Sequence, residues 1–299
     1  MKSGYKRFTP LEIITLAYAL LTVVLICFSW GKLDNALELL LARAGAIAGI
    51  GILSAIGKAA PANRVVWFLR NIGLLGLILY WYPETYYLGK CILPNLDQVF
   101  MDADAWLFGC QPSLEFSKAM PYTWFNELMN FGYFSYFFMI LGCALYFYIV
   151  NKPLAQHTVF VVLCAFFFYY LLFIIMPVMG PQFYFKPPDN QLADAGIFRY
   201  LVKLSQSLGE KPTGAFPSSH VGICIVNLIL LFKYARKGFY ALLPVALLLV
   251  CSTVYIKAHY LIDVFAGFVT APLFYWLSCV CWKKISGQPV PPSFYKKNG

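Results

Sequence analysis

His157-Thr-Val-Phe-Val-Val-Leu-Cys-Ala-Phe-Phe-Phe-Tyr-Tyr-Leu-Leu-Phe-Ile-Ile-Met-Pro177 contains no Asp, Glu, Lys or Arg. As a helix rising about 1.5 Å per residue it is long enough to cross a hydrocarbon layer roughly 30 Å thick. Outward from it, comparable apolar runs bounded by charge, Pro and Gly recur near 10–30, 43–60, 65–83, 124–150, 219–235, 239–257 and 260–282. The pattern predicts an all-α fold, a polytopic membrane helix bundle of about eight spanning helices.

Composition agrees, because 61% of the 299 residues are hydrophobic and only 12% are charged, about half the charged share usual in a soluble domain. A net charge of +10 in a soluble chain would point to nucleic acid. Here the charges are spread between apolar runs, so they are read as setting orientation, and no nucleic-acid partner is expected. With eight crossings and the amino terminus inside, fourteen of the 23 basic residues fall on one face, among them Lys58, Arg64, Arg70, Lys152, Lys233, Arg236, Lys283 and Lys284, while of the acidic residues only Glu12 joins them. Retention of Lys and Arg on the cytoplasmic side then predicts that both termini are cytoplasmic. The run from Pro10 is too long for a signal-peptide core and no small-residue cleavage pattern follows it, so it is read as a first spanning helix.

Two connections on the opposite, extracytoplasmic face are long. Residues 84–123, with Asp97, Asp102, Asp104 and Trp106, read as one or two surface helices forming a lid or entrance. Residues 178–218 carry a short amphipathic stretch at Ile197–Leu208. Cys91 and Cys110 fall in the first connection, where a disulfide could join them. The other seven cysteines lie in apolar runs as small hydrophobes.

The chain has three histidines. His157 beside Lys152 reads as an ordinary interfacial residue. His220 and His259 sit at outer-face helix junctions, where ionisable groups mark function. Pro217-Ser218-Ser219-His220 opens a helix, with Ser218 as its cap and the free N–H groups of the first turn able to receive an anion. Thr253-Val-Tyr-Ile-Lys257-Ala-His259-Tyr-Leu-Ile-Asp263 puts a histidine and an aspartate four apart, which on one helix share a face, so that the carboxylate could orient the imidazole. Either segment alone could be a cap or a self-satisfied polar pair. Together they supply what a phosphate site needs, a nucleophile and a proton donor.

The two segments resemble the last two motifs of the type 2 phosphatidic acid phosphatase superfamily, and Gly214–His220 with Thr253–Asp263 are most similar to its inositol phosphorylceramide synthase (inositolphosphotransferase) branch. The resemblance covers roughly residues 80–282. It implies a six-helix phosphatase-like core and a membrane-embedded catalytic domain over 65–284, with the N-terminal helix pair of 1–64 outside it and 285–299 as a basic cytoplasmic tail. It also implies that His259 attacks phosphorus to form a phosphohistidine, with Asp263 orienting it, and that His220 protonates the departing oxygen. Ser218 and Ser219 would hold phosphate oxygens, with neither metal nor organic cofactor.

The chain also departs from the family pattern. Thr253 stands where family phosphatases carry Arg, and Met179 where the first motif has Lys. Lys257, one turn from Thr253 on the same helical face, and the loop residues Lys186 and Lys211 are therefore candidates for the missing phosphate cation, each equally readable as a surface lysine. The resulting expectation is an integral membrane phosphotransferase of the phosphosphingolipid or inositol-phospholipid synthase type, taking a phospholipid or lipid phosphate and an alcohol acceptor on the extracytoplasmic face. The alternatives are a lipid phosphate phosphatase acting on phosphatidate, phosphatidylglycerophosphate, polyprenyl diphosphate or lipid A, and a non-catalytic lipid transporter.

Overall fold

A computed structural model of the chain describes residues 8–192 and 196–293. It contains α1 (Pro10–Phe28), α2 (Ala36–Ala59), α3 (Arg64–Asn71), α4 (Gly76–Trp81), α5 (Glu84–Lys90), α6 (Asp97–Phe108), α7 (Pro112–Ala119), α8 (Thr123–Val150), α9 (Lys152–Ile175), α10 (Pro181–Tyr184), α11 (Ile197–Gly209), α12 (Ser219–Tyr234), α13 (Arg236–Tyr255) and α14 (Leu261–Ser286). The described residues contain no strand.

Seven segments are long and apolar enough to cross a membrane: α1, α2, the combined Arg64–Trp81 segment, α8, α9, α13 and α14. The expected eighth, α12, has 16 residues, about 24 Å at the helical rise. It begins directly after the Ser218 cap. The third run is also not one helix. Asn71 is buried there, its Nδ2 donating to the Trp67 carbonyl and its Oδ1 accepting from Gln156 Nε2 at 2.7 Å, and a 3₁₀ turn over Gly73–Leu75 separates α3 from α4.

The apolar run at 157–177 forms most of α9, the centre of the bundle, against which α1, α5, α8, α12 and α14 pack. Phe160, Val161, Leu163 and Ala165 have no exposed surface. Burying a side chain of Leu or Phe size contributes roughly 1.5–3 kcal/mol where water is the alternative. Between helices in lipid the gain lies in close packing. That packing is aromatic: Tyr18 of α1 stacks on Phe167 at 4.3 Å, and Trp282 of α14 meets Phe160 at 5.3 Å. Two ion pairs lie within the bundle, buried Arg43 with Glu84 and, at 2.6 Å, partly buried Arg70 with Glu12.

The first long connection holds three surface helices, α5, α6 and α7, where one or two were expected. Cys91 and Cys110 are not joined: Cys91 is buried with its Sγ against the Tyr87 carbonyl, and Cys110 is exposed beyond the left-handed Gly109 that ends α6. α11 is amphipathic as its sequence predicts, exposing Ile197, Tyr200, Leu204 and Leu208 along one stripe. Glu127 of α8 caps its start, accepting the Phe198 and Arg199 N–H groups at 2.9 Å, which sets a carboxylate at the positive end of the helix. The tail reads as a free basic end in sequence, yet residues 287–293 return along the bundle. Trp282 Nε1 donates to the Pro289 carbonyl, Tyr234 to that of Pro291, and Ser293 to that of Lys233. Lys296 and Lys297 lie outside the described residues.

Candidate active site

At one end of the bundle, two chain segments meet. Ser218 caps α12, its Oγ accepting the Val221 N–H at 3.3 Å, while its own N–H donates to the Asp263 carbonyl at 3.0 Å. α14 can lie this close because of Gly267, where a Cβ would come within 2.9 Å of the Ser218 carbonyl oxygen. These contacts bring Ser218, Ser219, His220, His259 and Asp263 together.

His259 does not stand on a helix with Asp263. α13 ends at Tyr255, Lys257 takes a left-handed conformation at φ 65°, and the His259 N–H turns back to the Thr253 carbonyl at 3.1 Å before α14 begins at Leu261. This break alters two expectations. Lys257 does not share a helical face with Thr253, and Asp263 sits in the first turn of the next helix, where its Oδ2 accepts the Tyr260 N–H at 2.8 Å. Its distance to His259 Nδ1 is 3.6 Å, beyond hydrogen-bond length. The nearer partner of that nitrogen is the Ala215 carbonyl at 2.7 Å.

A carbonyl only accepts, so Nδ1 of His259 carries the proton and Nε2 presents its lone pair. That lone pair faces His220 Nδ1 at 3.2 Å, so His220 donates to it. The two rings form one hydrogen-bonded pair, and His220 is packed between Tyr133 and Tyr136, with centroids at 4.6 and 4.5 Å. His259 is 2% exposed. Burial lowers its pKa to about 4, with the Ala215 carbonyl and the Glu210 charge opposing the shift. It is neutral, and therefore nucleophilic, at neutral pH.

The surface helix α6 holds this arrangement from outside. Asp104 accepts the Leu261 and Ile262 N–H groups, both at 2.9 Å, at the start of α14. Asp97 accepts the N–H groups of Met179 and Gly180 at 2.7 and 2.8 Å and the Tyr260 hydroxyl at 3.0 Å. Gly180 is required there: at φ 92° it lies against the Ala258 carbonyl, to which a Cβ would come within 2.7 Å. Burial pushes the Asp104 carboxyl upward against the pull of the Leu261 and Ile262 N–H groups. Within the acidic connection, expected to form a lid or entrance, α6 thus clamps the loops flanking His259.

Of the three candidate lysines, none donates to the histidine pair among the described residues. Lys257 is buried with its Nζ on the Gln191 carbonyl at 2.9 Å. Burial, and secondarily Arg199, lowers its pKa to about 8. Lys186 is exposed and Lys211 is partly buried in the loops before α11 and α12.

Several neighbours of the site escape sequence reading: Ala215, Tyr133, Tyr136, Asp97 and Asp104 as partners of the motif residues, and Glu210. Only the tyrosines carried a signal, a spacing of three on an apolar helix that puts both on one face. A cavity of about 350 Å³ opens beside His220 and Ser219, walled by α4, α8, α9 and α11.

This is a helical membrane bundle with a paired-histidine site at the ends of its helices. Residues 98–277, more than half of the chain, match the family described as the PAP2 superfamily, and the chain belongs to that superfamily. Comparison with curated proteins and with solved structures finds no match. Membership supports chemistry at a lipid phosphate in a membrane, of the phosphatase or phosphotransferase kind.

Proposed function

We propose that the chain is a lipid phosphotransferase working through a phosphohistidine on His259, with His220 as the proton carrier. The observation that carries this reading is the hydrogen-bonded pair, His220 Nδ1 to His259 Nε2, with the Ala215 carbonyl fixing the tautomer that points a lone pair at the proton carrier.

In the first half-reaction the donor phosphorus enters between the rings. Nε2 attacks it, the bond to the departing oxygen breaks, and His220, whose protonated form the arriving phosphate charge favours, gives that oxygen its proton. Ser219, in the first turn of α12, and the free N–H groups of that turn stabilise the charge on the phosphoryl oxygens, while Ser218 shapes the cap. In the second half an acceptor hydroxyl passes its proton to His220, its oxygen bonds to phosphorus, and the Nε2–P bond breaks. Asp263 holds the Tyr260 backbone and adds its negative field to His259. Lys257, Lys186 and Lys211 serve as loop cations for the headgroup, not as direct partners of the histidines.

Transfer is favoured over hydrolysis by the surroundings of the pair. His259 is almost wholly excluded from solvent and the cavity beside His220 is mostly apolar, so an amphiphilic alcohol is a better-fitting acceptor than water. An inositol-phospholipid or phosphosphingolipid synthase activity fits this reading, on the extracytoplasmic face with both termini cytoplasmic.

The test is incubation of purified protein with phospholipids labelled in the headgroup phosphate, following acid-labile label on protein and all products. Label on the wild type that is lost in His259→Ala, with label appearing in an added alcohol, is the expected result. Free phosphate as the sole product would overturn transfer in favour of a phosphatase. No His259-dependent turnover on any lipid would leave the transporter reading.

A further inference from the structure

Glu210 lines the same cavity as His220, although a carboxylate beside a phosphate site repels the substrate it should attract. It is drawn there by two amides. Gln182 Nε2 donates to Glu210 Oε1 at 2.6 Å, Gln206 Nε2 donates to Gln182 Oε1 at 2.9 Å, and Gln206 also lies against the carboxylate. An ionised carboxylate has about four acceptor positions, so these amides leave capacity free toward the cavity. Burial pushes the Glu210 pKa up, with Gln182 and Gln206 opposing it. A mere tie between α11 and the Pro181–Tyr184 turn would need no charge, since two amides serve as well.

The rest of the cavity defines what could approach. The Tyr82 and Tyr170 hydroxyls are taken up by the Thr213 and Ile78 carbonyls, leaving ring surface to the cavity together with Phe137 and Phe166. The lining reaches Leu79 of α4 and Leu208 of α11, which are 66% and 79% exposed. Its apolar wall carries one carboxylate, Glu210, and one histidine, His220.

Resting on the phosphotransfer reading, we infer that Glu210 is a specificity-determining residue for the acceptor: it receives a second hydrogen-bond donor, carried beside the reacting hydroxyl of a hydrocarbon-tailed alcohol. The division of protons requires two donors. The reacting hydroxyl has one hydrogen, which goes to His220 as its oxygen bonds to phosphorus and the His259 Nε2–P bond breaks. A carboxylate that took the same proton would compete with that step. A neighbouring hydroxyl or N–H on the acceptor satisfies Glu210 and turns the reacting oxygen toward the phosphoenzyme. Water has no tail to fill the apolar walls, and a simple alcohol leaves the half-buried carboxylate under-satisfied.

The experiment is equilibrium binding of 1-hexadecanol and 1,2-hexadecanediol to the detergent-solubilised full chain, repeated with Glu210→Ala and Glu210→Gln. The wild type should prefer the diol by on the order of tenfold to a hundredfold, the usual weight of one hydrogen bond to a buried charge. That preference should vanish in Glu210→Ala and shrink in Glu210→Gln, which keeps the shape should the alanine variant fail to fold. Equal binding of the two probes by the wild type, or a preference that survives both substitutions, overturns the assignment. Stronger binding of hexadecyltrimethylammonium than of the diol overturns it in favour of a cationic ligand. Because binding needs no turnover, a diol preference without any phosphohistidine would sink the transfer reaction and leave the Glu210 subsite standing.

Discussion

His157 and His259 are both buried in one bundle, His157 near the start of α9 and His259 between α13 and α14. His157 packs edge-on against Trp282 at 4.9 Å, and among the described residues neither of its ring nitrogens has a hydrogen-bond partner. His259 has both nitrogens engaged, by the Ala215 carbonyl and by His220. Burial is therefore not what separates a site from a core. The difference lies in whether the surroundings fix a tautomer and aim a lone pair, as the Ala215 carbonyl and His220 do for His259.

Removing each ring gives the widest separation between the two. His259→Ala should abolish protein-bound phosphate and lower turnover by about 10⁴-fold or more, as nucleophile removal generally does. His157→Phe should leave turnover within about twofold and stability within about 1.5 kcal/mol, because a similar-sized apolar ring replaces a polar one with nothing to bond. Equal losses in lipid-turnover assays would erase the distinction.

Asp263→Asn sharpens it. Were Asp263 the tautomer-fixing group, its amide would cost about 10⁴-fold, as in a serine-protease triad. With the Ala215 carbonyl holding Nδ1, the expected loss is on the order of 10²-fold, measured as the single-turnover rate of phosphohistidine formation. Asp104→Ala reaches the same loop from outside. It strips acceptors from two N–H groups at the start of α14, which should cost about 1–3 kcal/mol and lower kcat about tenfold with KM little changed. A pure change in KM would make α6 part of the binding surface instead.

A further prediction concerns pH. The folded pKa of His259, about 4, lies below its unfolded value of about 6.5, so the unfolded chain takes up the proton first. The stability linked to this ring is fully present above about pH 6.5 and is lost as pH falls toward 4, by roughly 3 kcal/mol at the limit. Thermal unfolding in detergent at pH 7 and pH 4.5 should show this drop, and His259→Gln should reduce it.

Much of this comparison was legible in the sequence. The run at 157–177 announced a spanning helix because apolar length is a local property, and Ser218, His220 and His259 stood out because helix caps and scarce histidines are local too. The spacing of His259 and Asp263 misled, since four residues suit a helix and nothing near Lys257, such as a glycine, announced the left-handed turn that breaks it. Ala215 was invisible because a carbonyl acceptor belongs to every residue alike. Asp97 and Asp104 could be seen as acidic but not as clamps, because their partners lie 83 and 157 residues along the chain. Glu210 was hidden for the same reason, its role depending on Gln182 in a different turn.

The contact between the two imidazoles has a consequence for pharmacology. The Nε2 of His259, the proposed nucleophile, is occupied by Nδ1 of His220, 3.2 Å away, a gap no phosphorus centre can share. Every inhibitor aimed at the phosphate position must first part the rings, and its measured affinity is reduced by the fraction of molecules in which they already stand apart. Compounds that occupy the neighbouring aromatic cavity and leave the pair closed escape that penalty.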